Sequence, residues 1–262
     1  MLRQIGAEAA TVSTSEPLAG KTALVTGAAR RLGRAIALGL AASGTHIVAH
    51  YNTSASEAES LREEAHARGV NCWLVQGDLA QPGTGEEVVA RACELAGSLE
   101  ILVNSASVYF ESTVNEATSE QFCQALRINA FAPLELARAF ARQAERGSIV
   151  NVLDARIAAY DAKHVAYHLS KRALHALTRI LAVELAPRVM VNAVAPWLVL
   201  PPEGASEEFV RRAREGTVLK RLPTAESVVR AIVFLLSSEH ITGQVIYVDS
   251  GANLYSSMYG PV

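Results

Sequence analysis

Tyr167 and Lys171 lie one helical turn apart and are well suited to proton transfer. A tyrosine phenol ordinarily ionises at about pH 10, too high for a ready proton donor at neutral pH. Lys171 would lie on the same helix face, so its positive charge is expected to lower that pKa. Asp154 follows a predicted strand and would reach the same edge of the sheet. These residues predict a general acid at the rim of an α/β fold.

A turn with two glycines, Thr26 to Gly33, follows the first predicted strand. The glycines permit close approach of a pyrophosphate, and the N-terminus of the next helix offers free N–H groups. Arg31 replaces the usual middle glycine, and a cation there would face the phosphates or the edge of an anionic substrate. The turn predicts a dinucleotide site. Its assigned residues are Gly27, Arg30, Arg31, Leu32 and Gly33.

The loop after the second predicted strand indicates which dinucleotide is bound. Enzymes selective for NAD usually carry an acid there to bind the ribose 2′-hydroxyl, and residues 50–54 contain none. Their side chains, with Arg30, could hydrogen-bond a 2′-phosphate, so NADPH is the predicted cofactor; the alternative is a merely solvated loop. The assigned residues are His50, Tyr51, Asn52 and Ser54.

Polar and small residues follow the later predicted strands, at the edge where a dinucleotide would lie. The assigned residues are Asp78 and Leu79 for the adenine, Asn104, Ser105 and Ala106 for the ribose, and Pro196 and Val199 for the carboxamide. Asn129 is placed in the helix between the fourth and fifth strands. Its amide is expected to hold a backbone group, or a water leading to Lys171. It completes the catalytic set with Asp154, Tyr167 and Lys171.

Composition narrows the class of protein. The chain has 262 residues, half of them apolar, which is enough for a large core. A net charge of −2 gives no basic surface for nucleic acid. Three scattered cysteines lack metal-ligand spacing, so no metal is expected and they indicate free thiols. No apolar run is long enough to cross a membrane, and a cytoplasmic location is expected.

Strands and helices alternate from Lys21 onwards, and the strands are nearly continuous apolar runs. This pattern predicts one α/β domain, residues 20–262, with a Rossmann-like, doubly wound parallel sheet and helices on both faces. Residues 1–19 are interpreted as a loose extension. Residues 201–222 interrupt the pattern and are expected to form a substrate lid, or simply a surface helix at 207–215. Predicted strands are 22–26, 46–51, 72–76, 101–104, 148–153, 189–193 and 245–249; predicted helices are 34–43, 55–68, 86–95, 119–142, 165–185 and 225–236.

These motifs resemble the short-chain dehydrogenase/reductase family from about Lys21 to Leu254. Four departures from the family pattern stand out. They are Arg31 and Trp197 in place of glycines, Ser105-Ala106-Ser107 in place of Asn-Ala-Gly, and Asp154 in place of the usual serine. Those at Arg31, at residues 105–107 and at Asp154 resemble the pteridine reductase branch, and residues 161–167 also resemble dihydromonapterin reductases.

The resemblance implies roles for individual residues. Asp154 and Tyr167 would supply protons to the substrate, and Lys171 would adjust the pKa of Tyr167. Arg31 would contact the cofactor phosphate and the substrate edge, and Ser107 would border the pterin. Tyr109 would stack on the substrate, unless it belongs to the core. Trp197 would lie beside the nicotinamide in the substrate pocket, and the family implies a homotetramer.

The expected function is therefore NADPH-dependent reduction of a pteridine, such as a dihydropterin, dihydromonapterin or dihydrofolate. One alternative is a carbonyl reductase acting on a 3-oxoacyl thioester or small ketone. Asp154 argues against it, because an ionised carboxylate stabilises a developing oxyanion poorly. The other alternative is an inactive cofactor-binding sensor or scaffold, which the presence of both Tyr167 and Lys171 disfavours.

Overall fold

Seven short, mostly buried strands form one fully parallel sheet in the computed structural model, which describes residues 18–158, 162–202 and 204–254. Their order is β3-β2-β1-β4-β5-β6-β7. The doubly wound parallel sheet predicted from the sequence is confirmed. The strands are β1 (Thr22–Val25), β2 (His46–Tyr51), β3 (Cys72–Gln76), β4 (Ile101–Asn104), β5 (Gly147–Val152), β6 (Val189–Pro196) and β7 (Val245–Val248).

Helices cover both faces of this sheet. One core layer packs α1, α2 and α8 on the sheet, and the other packs α3, α5 and α6. The described helices are α1 (Arg31–Ala42), α2 (Ala55–His66), α3 (Thr84–Ala96), α4 (Ser119–Leu126), α5 (Ala132–Gln143), α6 (Val165–Glu184), α7 (Glu207–Glu215) and α8 (Ala225–Leu236).

Strand β1 shows why the strands are apolar throughout. Ala23 and Val25 pack into the first core layer and Leu24 into the second, and all three are fully buried. A strand with helices on both faces has no solvent side, so apolar residues predominate along its length.

The loops after β1 and β4 diverge where the strand order reverses, which is where α/β sheets bind ligands. Thr26 joins these loops: its Oγ1 accepts hydrogen bonds from the backbone N–H of Ser105 at 3.0 Å and of Ala106 at 3.1 Å. The hydroxyl satisfies two loop N–H groups at once and holds the two sides of the crevice together.

The long helix predicted at 119–142 is interrupted. A π-helical turn, Arg127–Phe131, separates α4 from α5. Pro133 lies just after it and has no N–H to donate to the carbonyl of Asn129, so the regular α-helical ladder cannot continue through this position.

Other boundaries also moved. Helix α1 begins at Arg31 rather than residue 34, and β6 continues to Pro196 because β7 pairs beside it. Leu18 is 1 % exposed and its carbonyl accepts from Thr45 Oγ1 at 3.1 Å, so the packed chain begins before the predicted boundary at residue 20. Residues 1–17 of the predicted extension lie outside the described residues. Within the described ranges, none of the helices has the length and apolarity needed to cross a bilayer.

Candidate active site

A cavity of about 930 Å³ opens at the carboxyl ends of the strands. Four residues assigned from the sequence do not line it: Tyr51, Ser54, Asn104 and Asn129. The assigned residues that do line it are Gly27, Arg30, Arg31, Leu32, Gly33, His50, Asn52, Asp78, Leu79, Ser105, Ala106, Ser107, Tyr109, Asp154, Tyr167, Lys171, Pro196, Trp197 and Val199.

Asp154 and Tyr167 meet in this cavity. Asp154 follows β5, Tyr167 lies in the first turn of α6, and the phenolic hydroxyl donates to Asp154 Oδ2 at 2.9 Å. The other carboxylate oxygen accepts from the backbone N–H of Arg156 at 2.7 Å, which fixes the carboxylate. Burial and, next, the Asp154 carboxylate raise the pKa of Tyr167 well above its ordinary value. The phenol therefore keeps its proton.

The pKa of Tyr167 is thus raised overall, whereas the sequence-based expectation was a lowering by Lys171. The Lys171 Nζ donates to the Val152 carbonyl at 2.9 Å and lies 5.8 Å from the centroid of the Tyr167 ring, not at the hydroxyl. Burial lowers the pKa of Lys171 itself from 10.5 to about 8, although the Asp154 carboxylate opposes this. Because this pKa still lies above neutrality, the buried lysine is mostly protonated at pH 7.

Asn129 holds a loop. Its Oδ1 accepts from the backbone N–H of Val108 at 2.9 Å and from Ser107 Oγ at 3.1 Å. Its Nδ2 donates to the Val108 carbonyl at 3.0 Å and to Ser170 Oγ at 2.9 Å. Asn129 thus binds the backbone of Val108, which is the first of the two roles expected from the sequence. Because the side chain is fully buried and these four bonds engage it, it does not line the cavity beside Lys171.

Tyr109 is 54 % exposed and is not a core residue. One ring face stacks on His164 at 4.4 Å between centroids, and the ring packs edge-on against Tyr167 at 4.7 Å. An aromatic wall therefore lies next to the proton donor, with one of its faces already covered.

The turn after β1 has the backbone geometry of an anion site. Gly27 has φ of +64°, and a Cβ at Gly33 would lie 2.1 Å from the Gly27 carbonyl oxygen, so both positions require glycine. The first turn of α1 has no acidic residue and no side-chain cap. Its N–H groups and the helix dipole favour an anion.

Arg31 has φ of 49°, the left-handed conformation that glycine usually adopts. Its guanidinium lines the cavity and donates to the carbonyls of Leu200 at 2.8 Å and Pro201 at 3.2 Å. The residue thus joins the phosphate turn to the segment after β6, a contact that the sequence does not indicate.

His50 is a structural residue rather than an exposed phosphate ligand. It is 2 % exposed; its Nδ1 accepts from the Gly27 N–H at 3.2 Å, and Nε2 lies 3.0 Å from the Gly77 carbonyl, to which it donates in this tautomer. Burial lowers the pKa of His50 to about 4. It is neutral at neutral pH, so it offers no charge to a 2′-phosphate and instead supports the glycine turn.

Of the other residues predicted to bind the 2′-phosphate, some line the cavity and some do not. Asn52 lines the cavity and donates to Asp78 Oδ1 at 3.2 Å. Arg30 lies 3.8 Å from Glu57, in the first turn of α2, and both side chains are exposed. Tyr51 and Ser54 lie outside the cavity lining. A cation therefore stands at this end of the cavity, with an acid beside it.

Asn104 is a supporting residue. It is buried, and its Nδ2 donates to Asn151 Oδ1 at 2.8 Å, which ties the end of β4 to β5. Several lining residues were missed. The one with a signal in the sequence is Arg156, a charge two positions beyond the predicted acid. The missed residues are Gly77, Val108, Ile128, Val152, Leu153, Arg156 and Leu200. Three further lining residues belong to segments that were predicted: Leu198 lies between the assigned Pro196 and Val199, and Pro202 and Phe209 lie in the predicted lid segment, residues 201–222.

Trp197 closes one side of the cavity. Its backbone N–H donates to the Val248 carbonyl at 3.2 Å, and the Arg156 guanidinium lies 4.9 Å from the indole centroid. Its Nε1 is buried, and among the described residues it has no hydrogen-bond acceptor.

Comparison with known proteins identifies the family. A family model described as enoyl-(acyl carrier protein) reductase matches residues 27–253. The chain belongs to the short-chain dehydrogenase/reductase family. It is therefore an oxidoreductase, and the resemblance predicted from Tyr167, Lys171 and the glycine turn is confirmed.

Relatives within the family carry different activities. The chain is 34 % identical to pteridine reductase 1 of Leishmania tarentolae, covering 92 % of this chain and 99 % of that protein. It is 30 % identical to the 3-oxoacyl-[acyl-carrier-protein] reductase FabG of Staphylococcus epidermidis, covering 88 % and 98 %. A crystal structure of FolM alternative dihydrofolate reductase 1 from Brucella suis, in complex with NADP, superposes with a TM-score of 0.87 at 33 % identity, covering 92 % and 98 %.

Proposed function

We propose that this protein is an NADPH-dependent reductase of a pteridine, such as a dihydropterin, dihydromonapterin or dihydrofolate. The observation that carries the proposal is the 2.9 Å hydrogen bond between Tyr167 and Asp154 beside Tyr109. A carboxyl group and a phenol at one point suit proton supply to a ring nitrogen. Similarity to pteridine reductase 1 and to FolM supports the same substrate class.

The described residues fit NADPH. Gly27 and Gly33 leave room for phosphates, the N-terminus of α1 attracts them, and Arg30 offers a cation for a 2′-phosphate. Bound NADPH supplies a hydride. Lys171 lies between Val152 and the Tyr167 ring and lines the cavity, where its ammonium can bind ribose hydroxyls.

Tyr167 and Asp154 act as one proton-donating unit. Loss of the phenolic proton alone would leave a phenolate against a carboxylate, two like charges in a buried place. Donation is favoured when the pair carries one more proton, which Asp154 passes to Tyr167 as Tyr167 protonates the substrate. The result is reduction of a C=N bond, with a proton on nitrogen from the pair and hydride on carbon.

A carbonyl reductase is the second candidate, because the chain resembles FabG over nearly its whole length. Asp154 opposes it, because a basic ring nitrogen can take the extra proton of the pair before hydride arrives, whereas a ketone oxygen is far less basic. Reduction of a ketone therefore builds up an oxyanion, which a carboxylate hydrogen-bonded to the donor disfavours.

The deciding experiment follows NADPH oxidation with dihydrobiopterin, dihydromonapterin, dihydrofolate and acetoacetyl thioester. We expect turnover of at least one dihydropterin, at a kcat/KM above that of the thioester. Turnover of the thioester alone would refute the pteridine assignment. The same assay with NADH in place of NADPH tests the cofactor, and a preference for NADH would refute that part.

We also propose that the protein is a homotetramer, by analogy with the family. Apolar side chains are exposed on α6 and on the π-helical turn before α5, at Phe131, Leu169, Ile180 and Val183. An oligomer would bury them. Light scattering coupled to size-exclusion chromatography measures the mass, and a monomer at micromolar concentration would contradict this proposal.

A further inference from the structure

Arg156 contacts three parts of the pocket. It follows Asp154 in a 3₁₀-helical turn, Ala155–Ala158, and its backbone N–H donates to Asp154 Oδ1 at 2.7 Å. Its guanidinium lies 4.9 Å from the Trp197 ring centroid, and Nη1 lies 3.5 Å from the Tyr109 hydroxyl. The backbone of Arg156 thus binds the acid, while its guanidinium contacts the two aromatic side chains at the cavity walls.

The Trp197 indole depends on this contact. Its backbone is fixed by the hydrogen bond to Val248, but no described residue accepts a hydrogen bond from its buried Nε1–H. Within the described part of the chain, the ring is oriented by packing and by the guanidinium over its face. A cation over a tryptophan face is the most favourable arrangement of this kind.

We propose that Arg156 is a positioning residue that determines substrate specificity. By touching both Tyr109 and Trp197 it fixes the separation of the two aromatic side chains, and it is itself fixed to Asp154. The resulting slot accepts a flat heterocycle and disfavours branched or non-planar ketones. This inference rests on the proposed pteridine reductase function.

The test compares Arg156→Met with wild type in the full-length protein. Methionine keeps the length of the side chain but removes the charge. We expect KM for the dihydropterin to rise about 3- to 30-fold, which is the range of a cation–π contact, with kcat little changed. The ratio of kcat/KM for the dihydropterin to that for acetoacetyl thioester should fall, and the Kd of NADPH should stay constant.

Two further variants give the matched comparison. Trp197→Gly removes the wall itself and should shift the same ratio in the same direction. Arg138→Met removes an exposed arginine that pairs with Glu86 on the protein surface, and should leave the ratio unchanged. Arg156→Lys keeps a cation and should recover part of the specificity lost in Arg156→Met. Such recovery would show that the loss comes from the missing charge and not from misfolding.

A readout independent of substrate uses fluorescence. The chain has two tryptophans, so Trp73→Phe leaves Trp197 as the single reporter. In that background, Arg156→Met should increase quenching of Trp197 by acrylamide, because the ring is no longer held.

The outcomes separate this inference from the proposed function. An unchanged substrate ratio together with unchanged quenching would overturn the role of Arg156, whatever the substrate. If wild type reduces no dihydropterin, the proposed function fails. Increased quenching would then still support the positioning of Trp197, and unchanged quenching would overturn it as well.

Discussion

The phenolic hydroxyl of Tyr167 donates a hydrogen bond to Asp154 Oδ2 at 2.9 Å. This bond joins the first turn of α6 to the loop after β5, and both residues face the same cavity. It turns two residues that are thirteen positions apart in the sequence into one acid–base pair. A substitution of either residue is therefore expected to affect proton transfer by the other.

Asp154→Asn tests the acid. The amide can still accept the hydrogen bond from Tyr167 but cannot carry a proton, so kcat for a dihydropterin should fall by about two to four orders of magnitude. The Kd of NADPH, measured by calorimetry, should not change. A variant that loses cofactor affinity and turnover to the same extent would show that Asp154 is structural.

Lys171 should make the free energy of unfolding change with pH in the alkaline range. Its pKa is about 8 in the folded protein and ordinarily 10.5, so between these values the unfolded chain binds more protons and stability rises with pH. The contribution amounts to about 3 kcal/mol at most. Urea unfolding from pH 7 to 11 measures it as the difference between wild type and Lys171→Met. A difference that does not vary with pH would contradict the assignment.

His50 should make the protein sensitive to acid. Its pKa is about 4 when folded and 6.5 ordinarily, so the stability it provides is complete above pH 6.5 and is lost as pH falls through 4. We expect wild type to lose up to about 3 kcal/mol over this range relative to His50→Gln. Protonation also removes the acceptor for the Gly27 N–H, so NADPH affinity should weaken in the same range. If the free energy of unfolding of wild type and of His50→Gln changes with pH in the same way, this role of His50 is disproved.

Gly33→Ala should damage the cofactor site. The new Cβ would lie 2.1 Å from the Gly27 carbonyl oxygen, and neither backbone segment can yield without opening the turn. We expect a stability loss of about 1–3 kcal/mol and NADPH binding weakened by about 10-fold or more. Gly216→Ala is the control, since its Cβ meets nothing closer than 3.5 Å. Fluorescence titration with NADPH compares the two, and equal affinities would refute the role of the turn.

The sequence by itself determined the sheet, the crevice and most of the residues around it. Apolar runs such as Thr22–Val25, alternating with helical patterns, indicate strands buried on both faces, and residues that follow parallel strands gather at one edge. For this reason Gly27, Asp154 and Tyr167 could be assigned to one site without coordinates.

Only the tertiary structure decided which side chains face the ligand and which ones support the site. His50 looks like a phosphate ligand in the sequence, yet burial makes it a neutral support for Gly27. Lys171 has the spacing to lower the pKa of Tyr167, but its ammonium binds the Val152 carbonyl instead. Arg156 reaches Trp197 across the loops after β5 and β6. Sequence spacing specifies a helix face or a strand end, whereas burial, charge and partner depend on segments that are distant in the chain and meet only on folding.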